Sequence, residues 1–462
     1  MSPHRLPRTR SVPNRLIRMD AAPTSAETSV LRRAVTSVAR NLGWMLASRG
    51  VLAVLSLVYL GIVTRTLGVA GFGRFALITT AAQALAVFVG FQTWQIVVQY
   101  GVKHVAEGND HALARLLRAC GLLDIVSAIL GAAAGAAILY FWHDAFGIKP
   151  GLMRDTMIFL VVQLVTIRSM PLGILRLRDR FAVAAIADSV TPVMRFIGAF
   201  FVALVVPTVK GFLYAWMVAE IATAIAYWAL VWRSGDLGAA LRARARPREL
   251  LAENPGIGGF ALSTNVNSTL GLSSKQLPLL VVGASIGPLA AGGFRLAAQI
   301  AQALAKLSQL LTRAAFPEIV RAVHDSSSAI LSRMLGKMFA ASTAAALVIL
   351  ALLALTGQWL LVLVGGTEYG GAYPILLWLA CAGCLDLATV GFEPVLMAMR
   401  RAGTALAIRA AGVAAMAAAA WPLIADYGAA GAAIAVFVGS LVTGVLLALA
   451  SLIMARREPV TI

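Results

Sequence analysis

Acidic residues, cysteine and histidine are all scarce in this 462-residue chain. It carries 20 Asp and Glu against 39 Lys and Arg, with 3 cysteines and 5 histidines, and only 13% of its residues are charged. So little charge would not cover the core of a soluble chain of this length. Cys120, Cys381 and Cys384 fall in or at the edge of apolar runs, which excludes a disulfide scaffold. Cys381 and Cys384 have the spacing of a metal or redox pair, but no second ligand pair completes a zinc site. They read as helix packing, and no metal or other cofactor is expected. The scattered histidines form no metal cluster with glutamate, and nucleophile elbow, P-loop and large polar loop are all missing. These absences argue against an enzyme. The first 40 residues hold Arg5, Arg8, Arg10, Arg15, Arg18, Arg32, Arg33 and Arg40 among Ser, Pro and Thr, too polar for a signal peptide.

What the chain has in abundance is apolar length. Sixty percent of residues are apolar and the mean hydropathy is +0.84. A membrane-crossing helix needs about 20 mostly apolar residues. Such runs recur at 42–64, 75–98, 116–141, 153–174, 181–206 and 211–232, then at 256–282, 289–311, 335–355, 374–397, 402–424 and 428–453. The apolar piece 359–364 reads as an interfacial turn. The expected fold is therefore an all-α integral membrane protein of about 12 transmembrane helices in two six-helix lobes. Its parts are a basic cytoplasmic tail (1–40), an N-terminal lobe (41–232), a basic connector (233–255), a C-terminal lobe (256–455) and a short tail (456–462). The net charge of +19 sits mainly in every second loop. That is the positive-inside pattern of a bacterial inner (plasma) membrane protein with both termini cytoplasmic, not the footprint of a nucleic-acid binder.

The halves repeat. Gly68, Gly73, Phe75, Leu77, Ala82, Gln83, Ala84, Leu85 and Ala86 recur from Gly287 to Ala305 at a constant offset (287 − 68 = 219). Six crossings return the chain to the same side, so the repeat is parallel, about an axis along the membrane normal.

Charged groups at membrane depth cost about 2.5–3.5 kcal/mol each on insertion scales, so they usually face a cavity or a partner. In the eighth helix Arg295, Gln299, Gln302, Lys306, Gln309 and Arg313 follow spacings of 4, 3, 4, 3 and 4, which puts them on one face. The seventh carries Thr264, Asn267, Ser268, Gly271, Ser274 and Lys275; the second carries Gln83, Gln92, Gln95 and Gln99; the first contributes Arg49. These stripes imply a hydrophilic, net-positive cavity lined chiefly by helices 1, 2, 7 and 8. Its expected binding residues are Arg49, Gln83, Gln95, Asn267, Lys275, Arg295, Gln299, Gln302 and Lys306. Asp188 and Arg195, seven apart on the fifth helix, could share a face as a salt bridge or a coupling pair. Pro192, Pro278, Pro374 and Pro394 interrupt apolar runs and suggest bends.

Three segments carry a family resemblance: Arg65-Thr-Leu-Gly-Val-Ala-Gly-Phe-Gly-Arg-Phe-Ala-Leu77, Val282-Gly-Ala-Ser-Ile-Gly-Pro-Leu-Ala-Ala-Gly-Gly-Phe294 and Gly366-Thr-Glu-Tyr-Gly-Gly-Ala-Tyr373. In order and spacing the chain resembles the oligosaccharide (Wzx-type) flippases, polysaccharide biosynthesis transporters of the multidrug/oligosaccharidyl-lipid/polysaccharide exporter superfamily. The resemblance spans about residues 35–455. It implies alternating-access transport of an undecaprenyl-pyrophosphate-linked oligosaccharide for lipopolysaccharide or exopolysaccharide assembly. Lipid-linked oligosaccharide, membrane lipid and polysaccharide polymerase machinery are the implied partners. Ser274-Lys275-Gln276 stands where many relatives have an acidic residue, so coupling through such an acid is not carried over. A multidrug or small-molecule exporter of the same superfamily is the alternative, kept open by Asp188, Glu220 and Asp386.

Overall fold

The computed structural model describes residues 25–143, 150–233, 235–244, 247–303, 328–398 and 401–457, and all regular structure among them is helical. Two compact units are distinguished, Met1–Ala53 and Val54–Ile462. Of the first, only the opening stretch of helix α1 is described.

Helix α1 (Ser25–Val89) turns at Gly68 and so supplies two crossings. There follow α2 (Thr93–Ala106), α3 (Asp110–Trp142), α4 (Pro150–Val165), α5 (Ser169–Leu177), α6 (Phe181–Val205) and α7 (Val209–Trp232). The short helices α8 (Asp236–Arg242) and α9 (Pro247–Glu253) form the connector. The second set comprises α10 (Ile257–Ser285), α11 (described over 288–303), α12 (Ser328–Gly365), a 3₁₀ turn (Thr367–Ala372), α13 (Tyr373–Ala388), α14 (Phe392–Ala398), α15 (Ala402–Tyr427) and α16 (Ala429–Arg457). With α2, α5 and α14 completing the crossings begun by α1, α4 and α13, the chain is an all-α protein of about twelve transmembrane helices in two lobes. Nine stretches among the described residues are long and apolar enough to cross a membrane by themselves. In the first set α2 packs on α3 and α5, α4 on α7 and α6 on α7; in the second α13 packs on α12 and α16, and α10 and α16 both pack on α15.

The structure departs from the sequence expectation in several places. Residues 359–364 are the last turns of α12 and not an interfacial turn; apolar, unbroken sequence simply extends the helix. The expected spans 75–98, 153–174 and 374–397 are each broken, at 90–92, 166–168 and 389–391. Two of the breaks have a proline just beyond them. Pro171 and Pro394 lack the N–H that would bond Ile167 and Val390, and their rings crowd those carbonyls. In the third, a side chain on Gly90 would stand 2.4 Å from the Ala86 carbonyl oxygen. Pro192 and Pro278, in contrast, sit inside α6 and α10, which continue as helix past them.

One end of the bundle is closed by backbone contact between the repeats. Gly68 and Gly287 are equivalent in the repeat and both take positive φ, 64° and 111°, where a Cβ is strained. Five residues on stand Gly73 and Gly292. A Cβ on Gly73 would lie 1.7 Å from the Pro288 carbonyl oxygen, and one on Gly292 would lie 2.2 Å from that of Val69. Val69 and Pro288 are themselves repeat-equivalent, so the contact is reciprocal. Around it Thr64 Oγ1 donates to Val364 O (3.1 Å), Arg65 Nη2 to Leu363 O (2.6 Å) and the Tyr369 hydroxyl to Gly68 O (3.4 Å). Phe72 meets Tyr369 edge-on with ring centroids 6.3 Å apart. Beneath lies a buried aromatic group in which Phe75 and Phe159 each meet Trp216 edge-on and Phe212 meets Phe75.

At the opposite end the connector folds onto the first helix set. Arg178, following α5, pairs with Asp236 of α8, and Arg115 of α3 pairs with Glu253 and Glu249 of α9. The hydrogen bond from Arg178 to Asp236 holds that guanidinium above its ordinary range. Arg118 Nη1 donates to Leu241 O (2.9 Å), and His104 Nε2 lies 2.9 Å from Asn254 Oδ1. The cysteines are all free, with Cys384 Sγ donating to Ala346 O, as helix-packing residues would be.

Replacing Gly73 with Val forces the two crossings apart, because the clash is with a carbonyl that cannot rotate away. Overpacking of this kind typically costs about 1–3 kcal/mol. The expected outcome is a faster reaction of a cysteine placed at Phe72, now 2% exposed, with a bulky maleimide. An unchanged labelling rate would show that this contact does not hold the end closed.

Candidate functional site

Two of the helix breaks face each other. Thr93 opens α2 and Ser169 opens α5, and the Trp94 N–H donates to Ser169 Oγ (3.1 Å). Both helix starts are held by one carboxylate on α3: Thr93 Oγ1 donates to the two oxygens of Asp124 at 3.0 and 2.9 Å, and the Met170 N–H bonds the same group. A carboxylate is well placed there, since the first N–H groups of a helix lack partners and carry partial positive charge. The breaks border a cavity of about 450 Å³ walled by Gln92, Trp94, Asp124, Gln163, Arg168, Asp188 and Tyr227 among others. Trp94 Nε1 donates to Gln92 Oε1 (3.0 Å), the Arg176 guanidinium lies 4.1 Å over the Trp94 ring, and Gln163 Oε1 is buried without a partner. Asn265 on α10 donates to Gly90 O (2.8 Å), so a helix of the second set reaches the first break.

Next to this cavity two arginines share one acid. Glu220 on α7 is 1% exposed and accepts from Arg168 Nη2 and Arg195 Nη2, both at 2.5 Å. Arg168 Nη1 also donates to Thr191 (3.3 Å), whose hydroxyl meets that of Thr223 at 2.8 Å. The Arg195 guanidinium stacks 3.4 Å over Trp216, a cation–π contact strengthened by desolvation. The cluster carries net positive charge. Tyr59 lies in the field of both Arg195 and Arg295, and those two cations also act on each other.

The sequence-derived residues are distributed as follows. Arg295 and Gln299 are each less buried than the residues beside them on α11, and Gln302 is half-buried like its neighbours. Gln83 accepts from Gln276 Nε2 of α10 (3.4 Å), which brings helices 2 and 7 together. Gln95 on α2 is half-buried. Asn267 and Lys275 are exposed on α10, and Asn267 accepts from Arg409 (3.2 Å), which also binds Glu393 through two bonds of 2.7 and 2.8 Å. The side chain of Arg49, and Lys306 entirely, lie outside the described residues. Asp188 and Arg195 do not form the expected bridge. Seven residues along a helix separate them by about 10 Å, so Arg195 turns to Glu220 while Asp188 accepts from the Tyr227 hydroxyl (2.6 Å). The cavity at the breaks is walled by the second to sixth crossings, sharing only the second with the expected set of 1, 2, 7 and 8, and of the expected site residues only Asp188 lines it.

Sequence reasoning gave Arg168 and Asp124 no role in the site, and Glu220 one only in the exporter alternative. Each was visible as a charge within an apolar run, but its partner is 52 residues away for Arg168 and Glu220, and 31 for Asp124 and Thr93. Among the described residues no group of three His, Cys, Asp or Glu could hold a metal ion.

Comparison with known proteins agrees with this architecture. The family model described as "Polysaccharide biosynthesis protein" matches residues 38–323. The inner membrane protein YghQ of Escherichia coli (strain K12) is 28% identical over 351 residues, covering 74% of this chain and 96% of that protein. An inward-facing structure of a multidrug resistance MATE family transporter of the MOP superfamily superimposes with a TM-score of 0.69 at 15% identity, covering 88% of this chain and 96% of that one. For the lipid II flippase MurJ in an inward closed conformation the TM-score is 0.66 at 11% identity, covering 87% and 86%. At such identities these structures share the fold.

Removing one member of a buried ion pair typically costs about 3–5 kcal/mol, because the remaining charge stays buried and unpaired. Glu220→Gln strands two arginines and is expected to lower the thermal midpoint of the purified protein sharply. Asp188→Ala, which loses one hydrogen bond, should cost about 1 kcal/mol. Equal melting curves for the two variants would contradict the shared-acid arrangement.

Proposed function

This chain belongs to the polysaccharide biosynthesis protein family, and from that premise we propose that it flips an undecaprenyl-pyrophosphate-linked oligosaccharide across the bacterial inner membrane by alternating access. The family and fold are those of transporters, and the protein is a multi-pass membrane protein. Lipopolysaccharide or exopolysaccharide assembly is the process it serves, with polysaccharide polymerase machinery as its neighbour. The basic end of the bundle, with both termini, faces the cytoplasm, in keeping with the positive-inside rule.

The observation that carries this reading is the imbalance of charge. The acids at membrane depth are engaged: Glu220 by two arginines, Glu393 by Arg409, Asp124 by Thr93, Asp188 by Tyr227 and Asp386 by Ser440. Arg295 has no carboxylate within ion-pair distance among the described residues, and Lys275 has only the longer-range field of Asp386. A pyrophosphate supplies the missing anion, and in a low-dielectric cleft its bonds to guanidinium and ammonium groups are strong. Gln83, Gln95, Asn267, Gln299 and Gln302 line its route in this reading; Lys306 and the side chain of Arg49, expected with them from the sequence, lie outside the described residues. The cavity at the breaks takes sugar hydroxyls on Gln163 and Gln92, while the lipid tail stays in the bilayer. A small-molecule exporter of the same superfamily is the rival reading, favoured by the carboxylates of Asp124 and Asp188 at that cavity.

Deleting the gene and assaying lipid-linked sugars separates the two: a flippase leaves its oligosaccharide-lipid accumulated on the cytoplasmic side, and an exporter does not. Losing a charge-assisted hydrogen bond costs about 1.5–3 kcal/mol, so Arg295→Ala and Lys275→Ala should each reduce flipping about ten- to a hundredfold while still inserting. Arg49→Ala is expected to behave alike. Normal surface polysaccharide in all three variants would overturn the cationic cleft.

A further inference from the structure

The connector between the lobes sorts its charges by direction. Its acids point inward: Asp236 is buried against Arg178, and Glu249 and Glu253 lie against Arg115. Its arginines point outward. Arg233, Arg242, Arg244 and Arg248 are all exposed, and none is paired with a carboxylate among the described residues. Large apolar side chains are exposed among them: Trp232 at 69%, Leu241 at 60% and Leu251 at 57%. The sorting comes from the fold, because the inward acids meet arginines from α3 and the end of α5. Docking the connector on the first lobe therefore neutralises its acids and leaves a surface of one sign.

That surface has a definite chemistry. Basic side chains interleaved with Trp and Leu, on short helices lying across the ends of membrane-crossing helices, match the boundary between headgroups and acyl chains. Leu241 and Leu251 gain by entering the acyl boundary, and the arginines gain by pairing with phosphate. We infer that α8 and α9 form a binding surface for anionic phospholipid headgroups, with Arg233, Arg242, Arg244 and Arg248 as the phosphate ligands and Trp232, Leu241 and Leu251 as the apolar anchors. The surface is separate from the transport cleft. It ties the first lobe to the leaflet, so that lobe movement is taken up where the chain leaves the connector: at Gly256, whose φ of 79° precedes α10.

The test uses the full-length protein reconstituted in vesicles, with an environment-sensitive fluorophore on a cysteine at Leu251 and the three native cysteines replaced by serine or alanine. In vesicles containing phosphatidylglycerol the probe should emit to the blue of its position in pure phosphatidylcholine and be protected from iodide. The variant with Arg242, Arg244 and Arg248 all changed to Gln should lose most of that lipid-dependent difference. A second probe at Leu241, read in the same two lipids, guards against a local effect of the first label. Emission and quenching that are identical in the two lipids at both positions would overturn the inference. So would a shift that appears only when an acidic soluble protein is added, which would make the surface a protein-docking site. Neither result bears on flipping, because the same samples can be assayed for oligosaccharide-lipid transfer and the cleft residues are unaltered.

Discussion

A backbone-to-backbone approach that glycine alone permits joins the two repeats of this protein. At Gly73 and Gly292 the helices come so close that a single added carbon would overlap a carbonyl oxygen of the opposite repeat. The contact is reciprocal, since each glycine faces the residue equivalent to the other's neighbour. Without it Thr64 would not reach Val364, nor Tyr369 the Gly68 carbonyl, and the closed end would have no seal. A bilayer supplies no hydrophobic force between helices, so close packing of small residues and hydrogen bonds must hold the lobes there.

The same economy governs the polar interior. Charges at membrane depth usually face a partner or a cavity, and among the described residues several acids each hold more than one group. One carboxylate, Asp124, holds the starts of two broken helices; another, Glu220, holds two arginines. The breaks free backbone groups where a cavity and a second-lobe side chain, Asn265, can use them, the condition under which irregular backbone is tolerated inside a membrane. These pairings leave Arg295 without a carboxylate among the described residues, and the proposal of an anionic headgroup as cargo rests on that.

Viewed from the membrane surface, the protein is asymmetric along its own axis. The end bearing the glycine turns is sealed by short contacts among apolar rings and carbonyls. The opposite end is basic, and its connector is docked by ion pairs that face inward. Those two ends bracket a first lobe with a polar cavity of its own, so the lobes are alike in plan and unequal in chemistry.

The apolar runs and the 219-residue repeat were enough to read about twelve helices in two lobes, because length and hydropathy alone decide which segments enter a bilayer. Gly68 and Gly73 were legible as repeat members, and the polar stripe Arg295, Gln299 and Gln302 as one helix face, since periodicity is local. The breaks at 166–168 and 389–391 could have been anticipated from Pro171 and Pro394. Pairings across helices could not. That Arg195 chooses Glu220 over Asp188, that Asp124 serves both Thr93 and Met170, and that the connector's acids turn inward depend on which helices become neighbours. A helical period tells which way a side chain points; only packing decides what waits on the other side.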